Sequence, residues 1–150
     1  NCPPYTTLSY TWGSHRQTAN ITVNGRAFGI RKNLLAFLEQ AARSDEDPDR
    51  LFWIDQICIN QQDTEERNEQ VTQMGRIYKE AANMAIWLGQ ASISKASDVA
   101  MSLLQDVAQW TEKDRILLTK GQAYAVIQLL ERPYWSRLWI VQEISLGRKI

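Results

Sequence analysis

The residues best suited to chemistry follow a short apolar run near the middle of the chain. Leu51–Ile54 are all apolar or aromatic, as expected of a strand buried on both faces. Directly after this run come four polar side chains: Asp55, Gln56, Asn60 and Gln61. In α/β proteins, polar groups at the carboxyl end of a buried strand usually face a ligand crevice. The pattern therefore predicts a binding site over residues 55–61.

A second candidate group lies close to the C-terminus. Trp135, Trp139 and Glu143 are spaced four apart, within a segment predicted to be helical over residues 134–147. On one helix they would form a stripe, with the carboxylate one turn from an indole ring. The spacing is therefore typical of a carboxylate with an apolar neighbour.

Composition limits the class of protein. The 150 residues fit one domain, and the 44% hydrophobic content provides a substantial core. Lys+Arg and Asp+Glu both number 17, so charge does not favour nucleic acid or an anionic membrane as a partner. No apolar run approaches the roughly 20 residues that span a bilayer. Two distant cysteines indicate a reducing compartment, and the abrupt chain ends look like cuts through a longer protein.

The periodicity predicts an α/β domain. Residues 5–10 are expected to form a first strand, and a hairpin is expected around Asn24-Gly25. Asn33 is expected to cap an amphipathic helix, and Asp63 with Glu66 resembles a capping box for a helix over 64–82. Strands over 51–55 and 84–89 flank that helix, which predicts a parallel strand–helix–strand unit. The remaining predicted helices are 95–110, 119–131 and 134–147.

The order of rare aromatic and amide residues resembles the fungal heterokaryon-incompatibility (HET) domain. The resemblance spans nearly the whole chain and is weakest over 90–131. It is carried by these segments: Leu8-Ser-Tyr-Thr-Trp-Gly13, Leu51-Phe-Trp-Ile-Asp-Gln-Ile-Cys-Ile-Asn-Gln61, Glu66-Arg67, Gln70-Val71, Met74, Ile77-Tyr78, Trp87-Leu-Gly89 and Arg132-Pro-Tyr-Trp-Ser-Arg-Leu-Trp-Ile-Val-Gln-Glu-Ile144.

The resemblance implies a fungal, cytoplasmic cell-death trigger in non-self recognition. It implies a single HET domain over 1–150, cut from a longer protein with sensor or repeat domains in the same chain or in trans, and self-association. It also implies a distant kinship with TIR domains, flavodoxin-like folds of which some cleave NAD and others only assemble. The expected fold is thus a TIR-like parallel sheet flanked by helices, with a small N-terminal β-hairpin and a helical C-terminal part.

The site residues follow from this kinship. Trp139-Ile-Val-Gln-Glu143-Ile144 resembles the segment that carries the catalytic glutamate of NAD-cleaving TIR domains, so Glu143 is expected to be catalytic. Its carboxylate could stabilise an oxocarbenium-like state. The rings of Tyr10 and Trp12 are expected to stack on a base or nicotinamide, and Gly13 to let the backbone approach a phosphate. Asp55, Asn60 and Gln61 are expected to bind ribose or amide groups. Arg67 and Arg137 are expected to bind the diphosphate. NAD is the expected substrate, with no cofactor and no metal.

Each assignment has a structural alternative. Trp53, Trp87, Trp135 and Trp139 are expected in the core on burial tendencies alone. An ion pair to Arg137 or Arg148 would explain Glu143 without catalysis. Glu66 has a local explanation in helix capping.

Other chemistries have weaker support in the sequence. Cys58 with His15 could form a thiol hydrolase pair, but a lone cysteine in an apolar run is usually a buried small hydrophobe. One histidine with scattered carboxylates does not predict a metal site, and the glycines lack the spacing of a phosphate-binding loop.

Two functions therefore stay open: an NAD glycohydrolase, and a non-enzymatic TIR-like module that triggers cell death by assembling with partners. One feature of the sequence modestly favours the enzyme. Polar residues are expected to converge from three strand or helix ends, namely Ser9, Asp55 with Asn60 and Gln61, and Glu143. An adaptor surface would not require this convergence.

Overall fold

The computed structural model describes residues 2–44, 49–109 and 117–147. The chain divides into two compact units, residues 1–89 with 137–150, and residues 90–136. Among its described residues, the first unit holds five strands and four helices: β1 (Thr6–Tyr10), β2 (Thr18–Val23), β3 (Arg26–Arg31), α1 (Lys32–Arg43), β4 (Phe52–Trp53), α2 (Asp55–Cys58), α3 (Thr64–Glu80), β5 (Asn83–Trp87) and α6 (Ile140–Leu146). The second holds α4 (Ala96–Val107), α5 (Lys120–Leu130) and a 3₁₀ helix over Pro133–Ser136.

The central element is β1, which pairs in parallel with β4 on one side and with β5 on the other. All five of its residues are buried. Burial on both faces is expected when helices cover a parallel sheet. The α/β class, the parallel sheet flanked by helices and the helical C-terminal part are confirmed.

One core cluster lies between this sheet and the hairpin with its following helix. Its buried members come from β1, β3, α1 and the residue after β4: Leu8, Tyr10, Ile30, Leu34, Phe37 and Ile54. The ring of Phe37 meets Phe52 and Trp87 edge-on, at centroid distances of 5.4 and 5.8 Å. This cluster fixes the end of β1, where the polar side chains begin.

The predicted hairpin is confirmed. Strands β2 and β3 are antiparallel, and Asn24 and Gly25 lie between them with φ of 51° and 77°. Two successive positive φ angles define the type I′ turn, whose twist matches that of the paired strands. The glycine is needed because an L side chain is strained at such angles.

Two predicted element boundaries are wrong: that of the strand before Asp55 and that of helix α1. Strand 51–55 is reduced to Phe52–Trp53, since Asp55 begins a short helix and its carboxylate accepts from the Gln56 amide at 2.7 Å. Phe52 and Trp53 are half-buried and Leu51 is half exposed, so the strand is not buried on both faces. Arg31, not Asn33, is the N-cap residue of α1.

The capping box at α3 is half present. Asp63 caps the helix, accepting from the amides of Glu65 and Glu66, while the Glu66 carboxylate turns to the amide of Asn60 instead of that of Asp63. The Glu66 side chain therefore fastens the preceding loop to the helix.

The predicted helix over 134–147 is broken, and the break coincides with the boundary between the two units. A 3₁₀ helix ends at Ser136 and α6 begins at Ile140. Trp135 therefore shares no helical stripe with Trp139 and Glu143. Trp135 and Trp139 are 39% and 49% exposed, so the expectation that they lie in the core is wrong.

Within the described ranges, none of the helices has the length and apolar character required to cross a bilayer.

We expect Gly25→Ala to lower the free energy of unfolding by about 1 kcal/mol. The Cβ added at residue 25 would meet no other atom within 4 Å, so the whole cost comes from the φ of 77°, which is strained for an L residue. Urea unfolding followed by tryptophan fluorescence measures this. Gly29→Ala in the same hairpin is the control: its Cβ would lie an ordinary 3.8 Å from Asn20 Oδ1, so the change should stay within about 0.5 kcal/mol. Equal losses in both variants would contradict the turn assignment.

Candidate functional site

A cleft of about 430 Å³ opens at the carboxyl end of β1. We refer to it as the strand-end cleft. The loop after β1 supplies Thr11, Trp12 and Gly13. The other polar side chains of the lining are Asp55, Gln61, Arg67, Arg137 and Glu143. Its apolar lining consists of Ile59, Val71, Met74 and Trp139. Two carboxylates, two guanidinium groups and two indoles therefore share one cleft.

The most buried charge in the cleft is Glu143, whose side chain is 2% exposed. Both its oxygens are engaged: Arg137 donates to Oε1 at 2.9 Å and to Oε2 at 3.1 Å, and the Ser9 hydroxyl also donates to Oε2. Such a bidentate pair is among the stronger polar contacts of proteins. Arg137 is the arginine that the sequence alternative named, and Arg148 lies outside the described residues.

The break before α6 makes this ion pair possible. Residues six apart on a continuous helix point in widely different directions, so Arg137 and Glu143 would not meet. Because the chain is non-helical from Arg137 to Trp139, the guanidinium turns back onto the first turn of α6. Ser9, at the buried end of β1, then joins the pair to the sheet.

The second carboxylate, Asp55, begins helix α2. The indole Nε1 of Trp12 donates to its Oδ2 at 2.8 Å, and the Gln56 amide donates to its Oδ1. Burial raises the pKa of the Asp55 carboxyl, and the hydrogen bonds from Trp12, Gln56 and Tyr10, together with the charge of Arg137, oppose this rise. The charge of Arg137 therefore acts on both carboxylates of the cleft.

A polar layer lies beneath the cleft. The Tyr10 hydroxyl donates to Gln56 Oε1 at 3.3 Å, and the Arg31 amide donates to the same oxygen at 3.4 Å. Burial is the main cause that raises the pKa of the Tyr10 phenol, and the neighbouring Asp55 charge raises it further, so the hydroxyl stays neutral. Tyr10 is 1% exposed, and its ring offers no face to a ligand. The stacking role predicted for Tyr10 is therefore wrong.

The rim formed by residues 11–13 is held by Asn33. Its Nδ2 donates to the Thr11 carbonyl, and its Oδ1 accepts from the Trp87 indole at 3.0 Å. Gly13 follows with a φ of 80°, which L side chains rarely adopt. The bonds of Asn33 explain why this residue, which was expected to be a helix cap, lies inside the helix instead.

The polar loop after α2 divides between cleft and solvent. Gln61 lines the cleft and donates to the Asp55 carbonyl at 2.9 Å. Asn60 does not line it: its Oδ1 accepts from the Gln62 amide in a local turn. The ligand role predicted for Asn60 is therefore not supported by its position. Arg67, on the first turns of α3, does reach the cleft.

The structure thus brings together seven of the nine predicted site residues: Glu143, Trp12, Gly13, Asp55, Gln61, Arg67 and Arg137. Ser9 was predicted only as one of the converging polar residues, with no role, and Trp139 was expected in the core. The position of Trp139 one helical turn before Glu143 is the feature of the sequence that could have indicated a place in the cleft. For Ser9, the feature that could have indicated its contact with Glu143 is its polar side chain between the apolar residues at the end of β1.

The alternative chemistries gain no support. Cys58 is exposed, contrary to the expectation of a buried cysteine, and its sulfur accepts from the Ile54 amide at 3.4 Å. In the part of the chain that the structure describes, no three His, Cys, Asp or Glu side chains are grouped to hold a metal ion.

Comparison with known proteins identifies the family. The profile described as heterokaryon incompatibility protein (HET) matches residues 5–143, which include every residue of the cleft. The chain belongs to the HET family. No solved structure matches it.

Two relatives in the HET family are fungal incompatibility proteins. Heterokaryon incompatibility protein 6, OR allele, from Neurospora crassa is 33% identical over 188 aligned positions, covering 96% of this chain and 28% of the relative. Vegetative incompatibility protein HET-E-1 from Podospora anserina is 33% identical over 97 positions, covering 62% of this chain and 7% of the relative. The chain therefore spans less than a third of the length of each.

We expect the raised pKa of Asp55 to make this HET domain less stable as pH rises. A carboxyl whose pKa is higher in the folded state contributes stability below its unfolded value, near 3.8, and loses it as pH rises through the folded value. Asp55→Asn has no proton to release, so its free energy of unfolding should lack this decline. Urea unfolding between pH 4 and 7 measures the difference, and the exposed Asp106→Asn should keep the decline.

We expect Arg137→Met to lower the free energy of unfolding by about 3 kcal/mol, because it leaves the buried Glu143 carboxylate without its cation. Adding Glu143→Met should recover much of this loss. Urea unfolding of both single variants and the double variant gives the coupling free energy. Losses that simply add in the double variant would show that the two side chains do not act as a pair.

Proposed function

We propose that this chain is the cell-death effector domain of a fungal incompatibility protein, and that it acts by hydrolysing NAD to nicotinamide and ADP-ribose. Membership of the HET family supports the first part, since both relatives are named as incompatibility proteins. The contents of the strand-end cleft support the second. Loss of NAD would then stop the metabolism of the cell that carries the activated protein.

One observation carries the enzymatic part: the cleft combines the groups that NAD requires. Arg67 and Arg137 suit a diphosphate, which guanidinium groups bind in bidentate fashion. The indoles of Trp12, which is partly exposed, and Trp139, which is about half exposed, suit a nucleobase or nicotinamide ring. The carboxylates of Asp55 and Glu143 suit ribose hydroxyls and a developing positive charge.

The order of the strands gives independent support. Counted along the parallel sheet alone, β1, β4 and β5 are its first, second and third strands, so the order β4-β1-β5 is the order 2-1-3 with which flavodoxin-like sheets begin. In such sheets the chain reverses direction beside the first strand, and ligands bind in the crevice at the carboxyl ends. The strand-end cleft lies at that point, which favours the proposed kinship with TIR domains.

The reaction requires few groups. The C–N bond between ribose C1′ and nicotinamide breaks, and its electron pair leaves with nicotinamide, which becomes neutral. The ribose becomes oxocarbenium-like, and a carboxylate at the position of Glu143 stabilises that positive charge. A water molecule then forms the C1′–O bond and gives up a proton, which Asp55 or solvent accepts. The products are nicotinamide, ADP-ribose and one proton.

A non-enzymatic assembly module is the second candidate, and the second unit favours it. Helices α4 and α5 carry apolar side chains that are 45–59% exposed: Val99, Met101, Leu104, Tyr124, Ile127 and Leu130. Exposed apolar groups of this number are typical of an interface. We propose a further copy of this chain as the partner. Assembly alone would then recruit the proteins that kill the cell.

We expect the purified chain to release nicotinamide from NAD when it is concentrated with a crowding agent that promotes assembly. Glu143→Gln should reduce this release at least about 100-fold, because it removes the charge that stabilises the oxocarbenium-like ribose. Chromatography of NAD and nicotinamide provides the measurement. Glu80→Gln is the control: it removes a carboxylate from the exposed Arg76 pair and should change release by less than about twofold.

Equal release by wild type and Glu143→Gln would assign the cleavage to another group. Absence of release from a wild-type sample shown to be self-associated would favour the assembly module. In that case Ile127→Asp on α5 should abolish self-association, whereas Glu143→Gln should leave it intact.

A further inference from the structure

We infer that Ser9 is a positioning residue: it keeps Glu143 in place while Arg137 exchanges this carboxylate for the diphosphate of a bound dinucleotide. This inference rests on the proposed hydrolysis of NAD and adds how the ligand changes the site. In the structure Glu143 is held by two partners, and these partners differ in their freedom to leave.

The carboxylate of Glu143 is fully engaged. Arg137 contacts both oxygens, and Oε2 accepts in addition from the Ser9 hydroxyl. A carboxylate neutralised by a guanidinium stabilises a nearby cation poorly, because the two positive charges compete for it. Catalysis by Glu143 therefore requires that Arg137 move away from it.

Ser9 cannot leave its position. It is fully buried, and it lies on the central strand, paired in register with Ile86 of β5. Its hydroxyl donates to Glu143 Oε2 and accepts from Arg137 Nη1 at 3.3 Å. When Arg137 withdraws, this hydrogen bond still fixes the carboxylate. A serine hydroxyl carries no charge, so it orients the carboxylate without neutralising it.

Arg137 has the features of the partner that leaves. It lies in the non-helical segment before α6, its side chain is 19% exposed, and it lines the cleft together with Arg67. A diphosphate offers the guanidinium the same bidentate geometry as a carboxylate, with more negative charge. Binding of the diphosphate thus compensates for the lost ion pair, and the ligand itself activates Glu143.

Ser9→Ala tests the positioning role, with Thr7→Val as a matched control. Thr7 is a buried hydroxyl residue of the same strand, and among the described residues its Oγ1 has no hydrogen-bond partner. We expect Ser9→Ala to lower kcat for NAD roughly 10- to 100-fold while KM changes by less than about twofold, since only orientation is lost. Ser9→Thr keeps the hydroxyl and should recover most of kcat. Thr7→Val should match wild type.

An unchanged kcat in Ser9→Ala, with NAD still cleaved by wild type, would overturn the positioning role and leave the proposed function standing. So would a KM that rises as much as kcat falls, because a general distortion of the cleft would then explain the loss. Thermal unfolding of each variant shows whether it is folded.

A second measurement follows Arg137 directly in the wild-type protein. ADP-ribose is titrated into ¹⁵N-labelled chain, and the Nε–H resonance of Arg137 is assigned by comparison with Arg137→Lys. We expect ADP-ribose to shift this resonance and nicotinamide alone to leave it in place. ADP-ribose binding without a shift would overturn the exchange but not the enzyme. Absence of both binding and NAD cleavage in wild type would overturn the proposed function and this inference with it.

Discussion

The contact between Ser9, Arg137 and Glu143 joins the C-terminal helix of the first unit to the end of its central strand. Burying a charged carboxylate such as that of Glu143, which is 2% exposed, is costly unless a cation and hydrogen-bond donors lie close to it. Arg137 and Ser9 supply both. The break in the last predicted helix allows this contact, because Arg137 and Glu143 would not meet on one continuous helix. Arg137 and Glu143 both line the strand-end cleft, so this contact lies at its wall.

Around the ion pair, the site has two polar layers with different freedom. The lower layer, Tyr10 with Gln56, is buried and connects the strand to α2 and to the start of α1. The upper layer, Asp55 with Trp12, borders the cleft. Burial raises the pKa of Asp55, whereas Glu143 forms an ion pair with Arg137. Two carboxylates in one cleft are thus held in different electrostatic environments, which is how a single site provides two chemical roles.

The sequence predicted the features that depend on local chemistry. The Asn24-Gly25 hairpin, the Asp63 cap and the parallel sheet were all identifiable, because turn residues, caps and apolar runs act over a few positions. Trp12, Asp55 and Glu143 were identifiable as cleft residues because they follow apolar strands or match the HET pattern. The seven predicted residues that do line the cleft come from helices α2, α3 and α6 and from the segments after β1, after α2 and before α6.

The remaining features depend on contacts between distant residues. Periodicity over 134–147 indicated one helix, but the segment from Arg137 to Trp139 is non-helical, and Arg137 pairs with Glu143 and Ser9. Tyr10 reads as a rim residue in sequence, yet the hairpin and α1 cover it. Asparagine often caps helices, but Asn33 lies inside α1, where it forms hydrogen bonds to Thr11 and Trp87. Each of these three corrections arises from a partner at least six residues away, which local patterns do not specify.

A crystal structure of the Glu143→Gln chain with NAD would show whether the strand-end cleft binds the dinucleotide, since the variant should bind NAD without cleaving it. We predict that the diphosphate lies between Arg67 and Arg137, with Arg137 turned away from position 143. It also predicts that the C1′ atom of the nicotinamide ribose faces the side-chain amide introduced at that position. NAD bound away from the strand-end cleft, or bound there with the nicotinamide ribose directed to solvent, would contradict it.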